Sequence, residues 1–166
     1  MYIKQLEIDN FKSFANKVDI PMLQGFTTIS GPNGSGKSNI IDSILFALGL
    51  STSRTLRAEK LFHLISTYNK RNEAFVKVTF GETEDGDFSV ARRIRKSSQG
   101  FNSIYYLDDK IATLSDIHAK LEKYNITPNS YNVMMQGDVM SITNCTPGER
   151  LSLIHISEPT RPLYIS

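Results

Sequence analysis

Eight consecutive residues, Gly31-Pro32-Asn33-Gly34-Ser35-Gly36-Lys37-Ser38, carry the pattern G-x-x-x-x-G-K-[ST] in full. Their types suit the capture of a polyphosphate. Glycines let the backbone turn tightly and approach phosphate oxygens with no Cβ in the way. Successive N–H groups then converge as an anion nest, and the positive end of a following helix adds to it. In such a loop Lys37 reaches the β- and γ-phosphates, and the Ser38 hydroxyl is a ligand for Mg²⁺. A glycine-rich turn could match by chance, so the flanking elements decide the matter.

Those flanks have the order the chemistry needs. Gly25-Phe26-Thr27-Thr28-Ile29-Ser30 is β-rich and predicts a buried strand running into the loop. From Lys37 to Leu48 the period changes: Ile40, Ile41, Ile44, Leu45 and Leu48 fall on one helical face, and Gly49 follows as a stop. Elsewhere, alternation predicts a strand over 2–9, a polar corner from Asn10 to Asn16, and a short apolar stretch at Val18, Ile20 and Pro21. Residues 51–60 are polar and basic, hence an exposed loop or short helix. Strands are expected at 74–80, 88–95 and 103–107, divided by the turn compositions Glu84–Asp87 and Ser97–Gly100. A helix is expected over 114–124, with Leu114, Ile117 and Leu121 on one face. A last apolar run, Tyr131 to Met135, ends at Gln136-Gly137-Asp138. One α/β domain accounts for the pattern.

Composition limits the alternatives. With 166 residues, 40% of them hydrophobic and 22% charged, the chain suffices for one core. A net charge of +2 says little about nucleic acid, so any basic surface has to be local. The lone Cys145 excludes an internal disulfide and has no metal-ligand neighbours. No stretch has the ~20 apolar residues of a membrane span, and the N-terminus lacks a signal-peptide core. A reducing, cytoplasmic setting without membrane contact is expected.

Four blocks in order, IKQLEIDNFKSF (3–14), GFTTISGPNGSGKSNIIDSILFALGL (25–50), SRTLRAEK (53–60) and YNVMMQGDV (131–139), resemble the N-terminal head segment of prokaryotic SMC chromosome segregation and condensation proteins. The resemblance covers about residues 2–150. It implies an α/β P-loop NTPase fold: an ABC-type ATPase N-terminal lobe, with a mixed sheet around the P-loop helix and an antiparallel β-subdomain. It also implies ATP and Mg²⁺ as cofactors. The ATP-binding set is then Gly31, Pro32, Asn33, Gly34, Ser35, Gly36, Lys37, Ser38 and Asn39, joined by Gln136, Lys12, Ser13 and Arg57. Ser38 and Gln136 are the implied Mg²⁺ ligands, an amide oxygen being a reasonable hard donor. Lys12 and Ser13 match the segment beside base and ribose, although a polar corner between Phe11 and Phe14 explains them nearly as well. Arg57 matches an arginine that approaches ATP as heads engage, where its planar fork suits phosphate. Lys60 is a candidate contact to DNA phosphate, independent of sequence. For the cluster Arg92, Arg93, Arg95 and Lys96 a solvated strand is favoured, with Arg92 and Ile94 on one side and Arg93 and Arg95 on the other.

The resemblance further implies a nucleoid-associated homodimer whose head needs its own C-terminal lobe, a second head, a kleisin subunit and DNA. No Walker B acidic pair and no LSGG-type signature occur here, so the chain alone is expected not to turn ATP over. Residues 1–150 are assigned to the head lobe. Residues 151–166, with Pro159 and Pro162, cannot sustain the helix the family has next. They resemble adapter read-through and receive no function. A head lobe of a related coiled-coil DNA-repair ATPase and an inactive truncated fragment are the alternatives.

Overall fold

The computed structural model describes residues 1–50, 61–84, 86–98 and 100–127, with only the backbone of Phe62 included. In chain order these form β1 (Tyr2–Asp9), β2 (Val18–Pro21), α1 (Lys37–Leu48), a 3₁₀ turn (Leu61–Leu64), β3 (Glu73–Gly81), β4 (Phe88–Ser97), β5 (Gly100–Leu107), β6 (Lys110–Ala112) and α2 (Leu114–Glu122). The strands make one six-stranded sheet in the order β2-β1-β3-β4-β5-β6, and every pairing is antiparallel.

Alternation drives the sheet. In β1, Leu6 and Ile8 point inward and are fully buried; opposite them across β3 stand Val78 and Val76, equally buried. β4 continues the same face with Val90 and Ile94. Shifting any strand by one residue would turn its charged set into the core, which fixes the register. The β5–β6 hairpin turns through Asp108 and Asp109, both left-handed at φ 50° and 61°. Such a turn matches the twist of the flanking strands.

The buried face of the sheet receives α1 through Leu45, Phe46 and Leu48, and α2 through Ile117 and Leu121. Ring contacts tie the layers: Phe11 to Phe46 at 5.2 Å, Phe80 to Phe88 at 4.9 Å and Phe88 to Tyr124 at 5.6 Å. Arg92 reaches from β4 beneath α1, only 7% exposed, with its guanidinium 4.6 Å from the rings of both Phe46 and Tyr105. It donates to Ser103 Oγ at 2.9 Å and to the Phe46 carbonyl at 3.3 Å. A cation at the C-terminal end of a helix is favourable because the dipole is negative there. Burial pushes the Arg92 pKa down from its ordinary value, a cost that the rings and the helix end offset.

The helix ends follow local rules. α1 stops at Gly49, left-handed at φ 66°, whose N–H returns to the last-turn carbonyls. A Cβ on Gly49 would collide with Leu114 Cδ1 and crowd Tyr105, so the end of α1 packs directly on the start of α2. α2 opens with a reciprocal capping box between Thr113 and Asp116 that sequence reading overlooked.

The expected strands at 2–9, 74–80, 88–95 and 103–107 form, as do both helices; β6 was not foreseen, and β2 was expected only as a short apolar stretch. Several expectations change, among them the solvated strand at Arg92–Lys96, because Arg92 is buried beneath α1. The segment 25–30 is irregular and exposed, not a buried strand, because no described strand pairs with it. Among the described residues every strand pairing of the sheet is antiparallel. On α1 the buried set is Asp42, Ser43, Leu45, Phe46, Ala47 and Leu48, whereas Ile41 is 42% exposed and Ile40 and Ile44 are only partly covered. Apolar residues surround the helix, so periodicity alone could not say which side meets this sheet. On α2, Ile117 and Leu121 are buried as expected, but Leu114 is exposed.

Candidate functional site

The loop 31–36 turns through Gly34 at φ 82° and Gly36 at φ 93°, both positions that L side chains rarely adopt. Ser35 N–H donates to the Pro32 carbonyl at 3.3 Å, and Asn39 N–H donates to Gly36 at 2.9 Å as α1 begins. Gly36 is the N-cap and supplies no side chain, and α1 has no acidic residue in its first turn. Its opening N–H groups therefore keep their positive potential. α2 in the same molecule is the contrast, since Thr113 and Asp116 consume that potential. Lys37 folds over the loop, its ammonium donating to the carbonyls of Gly31 and Pro32 at 2.7 Å each. Ser38 is exposed beside it on the first turn.

A second segment completes one wall. The corner after β1 is pinned by Lys12 N–H donating to Leu64 O at 2.7 Å and Ser66 N–H donating to Asn10 O at 2.9 Å. Lys12 sits at φ 48°, and its ammonium pairs with Asp42 Oδ2 on α1 at 2.6 Å, with the Asp42 side chain fully buried. Ser13 thereby meets the loop: Asn39 Nδ2 donates to Ser13 Oγ at 2.8 Å, and a Cβ added to Gly36 would lie 2.8 Å from the same oxygen. The expected residues Lys12, Ser13, Gly36, Lys37, Ser38 and Asn39 thus share one neighbourhood, and Lys12 is tied to α1 by its ion pair. Asp42 was missed. Its signal in the sequence was an acid on an otherwise apolar helix.

Gln136, Arg57 and Lys60 lie outside the described residues, as do the apolar run 131–135, Cys145 and the tail 151–166. Among the described residues no group of three His, Cys, Asp or Glu could hold a metal. Were Mg²⁺ to bind with a nucleotide, the exposed Ser38 hydroxyl would be the hard oxygen this loop could give it. No helix among the described residues is long and apolar enough to cross a membrane.

The sequence pattern of the RecF/RecN/SMC N-terminal domain matches residues 2–148. The chain belongs to that family. The chromosome partition protein Smc of Gloeobacter violaceus is 48% identical over 157 residues, covering 93% of this chain and 14% of that protein. The chain therefore spans about a seventh of such a relative. A solved Smc head bound to the C-terminal winged-helix domain of ScpA superposes with a TM-score of 0.83 at 37% identity, over 94% of this chain and 50% of that one. Another structure, solved in work on ATP-driven dimerisation and DNA-stimulated activation of SMC ATPases, gives 0.78 at 35% identity, over 95% and 100% of the two chains. The fold is that of an ABC-type P-loop ATPase lobe, and the chain is an N-terminal head segment of the SMC type.

Proposed function

We propose that this chain is the nucleotide-capturing part of an SMC-type ATPase head, with residues 1–150 forming the lobe. The observation that carries it is the uncapped, acid-free start of α1 behind the turn Gly31–Gly36, with Lys37 poised over that turn. A polyphosphate would take the ammonium of Lys37 from the Gly31 and Pro32 carbonyls, exchanging neutral acceptors for charged ones. Such charge-assisted bonds are roughly twice as strong as neutral ones. Lys12 and Ser13 would lie beside base and ribose, with Asn39 hydrogen-bonded to Ser13 next to them. Mg²⁺, when bound with the nucleotide, would neutralise phosphate charge; Ser38 and, by resemblance, Gln136 are the residues to hold it.

Hydrolysis needs a carboxylate to position water and a donor to the γ-phosphate from a second head, so turnover belongs to an assembly of this lobe with its C-terminal lobe and a second head. Arg57 is proposed to reach the nucleotide in that assembly, and Lys60 to contact DNA. The relatives named for chromosome partition and the solved complex with ScpA support a role in chromosome partition and a kleisin partner, and a nucleoid-associated setting is proposed along with them. The test is nucleotide affinity of this chain co-assembled with a C-terminal lobe, with and without Lys37→Ala. A loss of at least tenfold is expected, and equal affinity of the two proteins sinks the assignment.

A further inference from the structure

The face of the sheet turned away from α1 and α2 carries a set of charged residues that nucleotide capture does not use. Glu7 and Asp9 of β1, Glu73, Phe75 and Lys77 of β3 and Arg93 of β4 line an open depression of about 370 Å³, with Lys17, Arg71 and Asp109 at its edge. A smaller one of about 120 Å³ adjoins it, lined by Arg93, Arg95, Asn102 and Ile104. Arg93 belongs to both.

Each carboxylate of the larger depression already has a cation. Arg71 grips Asp9 through two hydrogen bonds at 2.7 and 2.5 Å, Lys17 meets Glu7 at 3.0 Å, Lys77 meets Asp109 at 2.7 Å and Arg95 meets Glu73 at 2.8 Å. Arg93 differs. Its guanidinium lies 5.4 Å from the Phe75 ring and 5.9 Å from the Tyr106 ring, makes no ion pair among the described residues, and leaves Nε without a hydrogen-bond partner. Flanking rings hold a guanidinium in place without neutralising it. Its Nε is buried, so the terminal nitrogens are what it can offer: a guanidinium without an ion pair among the described residues, beside two aromatic rings and Ile104, can receive a planar anion attached to an apolar stem.

The surroundings choose between kinds of anion. A nucleic-acid backbone needs several uncompensated cations in a row, and here four carboxylates encircle one. A protein segment with a single acid meets that constraint, because its carboxylate takes Arg93 and its neighbours cover the rings. We propose that the Arg93 depression is a docking site for a protein segment that inserts one Asp or Glu side chain flanked by apolar residues. It lies on the opposite face of the sheet from Lys37, so its fate is independent of the nucleotide assignment.

The test is selection of random displayed peptides, about twelve residues long, on the full chain, with Arg93→Gln as counter-selection. Affinities of the enriched peptides are then measured by fluorescence anisotropy. Each enriched peptide should carry an acid whose replacement by Asn or Gln weakens binding at least tenfold, as Arg93→Gln should. Arg93→Lys retains charge but loses the fork, and Tyr106→Leu removes one ring; both should weaken binding about threefold or more, and they carry the comparison if Arg93→Gln fails to fold by circular dichroism. Enrichment of peptides without an acid, or equal binding by the variants, overturns the proposal. So does Arg93-dependent binding of a short DNA duplex, or Arg93-dependent self-association in sedimentation, each of which names a different occupant.

Discussion

Gly36 shows how one residue type serves two constraints. Its φ of 93° bends the loop into α1, and its missing Cβ leaves room for Ser13 Oγ. Gly34, at φ 82°, has open space around it instead. Alanine at either position takes the backbone strain, on the order of 1–2 kcal/mol. Only Gly36→Ala also displaces Ser13 from Asn39. Thermal unfolding should therefore rank the two variants close together, while nucleotide affinity of the assembled head should fall further for Gly36→Ala. Equal affinities would remove Ser13 from the site. The motif made Gly36 legible as a glycine that must turn. Ser13 was named only through the resemblance of its block, and its place beside the loop depends on the Lys12–Asp42 pair, thirty positions apart in the chain.

Among the elements, α2 offers a measurement of pH dependence. Asp116 accepts from the Thr113 hydroxyl at 2.7 Å and the Thr113 N–H at 2.8 Å, which holds its carboxyl below the ordinary value of about 3.8. A carboxyl lowered in the folded state stabilises above its unfolded pKa, and that contribution is lost as pH falls through the lower folded one. Thr113→Ala should thus cost about 1 kcal/mol at neutral pH in denaturant unfolding. The difference from wild type should shrink below roughly pH 4. A gap of constant size down to acid pH would show that the hydroxyl acts without Asp116. The strands were readable because alternation reports one wet and one dry face, as in β3, where Ala74, Val76, Val78 and Phe80 are buried and Phe75 and Lys77 face out. The capping box was in the sequence too, as Thr113 three residues before Asp116, hidden only because Asp rather than Glu closes it.

At the scale of the molecule, the segment leading to the loop and one position of α1, Ile41, leave large apolar side chains exposed. Phe26 is 96% exposed, Leu23 82%, Ile41 42% and Ile29 41%. Large apolar groups left in water mark surface that another structure covers, and the proposed occupant is the C-terminal head lobe. The chain by itself should bind a hydrophobic dye and self-associate in light scattering, and co-assembly with that lobe should suppress both. Phe26→Ser should reduce self-association while changing stability by less than ~0.5 kcal/mol, as expected of an exposed site. Dye binding unaffected by the lobe would count against that occupant.

From the sequence alone came the phosphate loop, both helices, the four longer strands and the family, because each rests on neighbours in the chain: a glycine spacing, a period of 3.6 or 2, a stop signal. Tertiary structure decided the rest. Whether 25–30 is a strand depends on a partner to complete its ladder, which no pattern within the segment contains. Which part of the apolar side of α1 is buried depends on where the sheet lies, since Ile41 and Leu45 share that side and yet only Leu45 is covered. That Arg92 is buried between two rings while its neighbour Arg93 lies on the outer face follows from strand alternation. That Arg93 has no carboxylate among the described residues follows only from the cross-strand positions of Asp9, Glu73 and Asp109, which the folded sheet alone brings together.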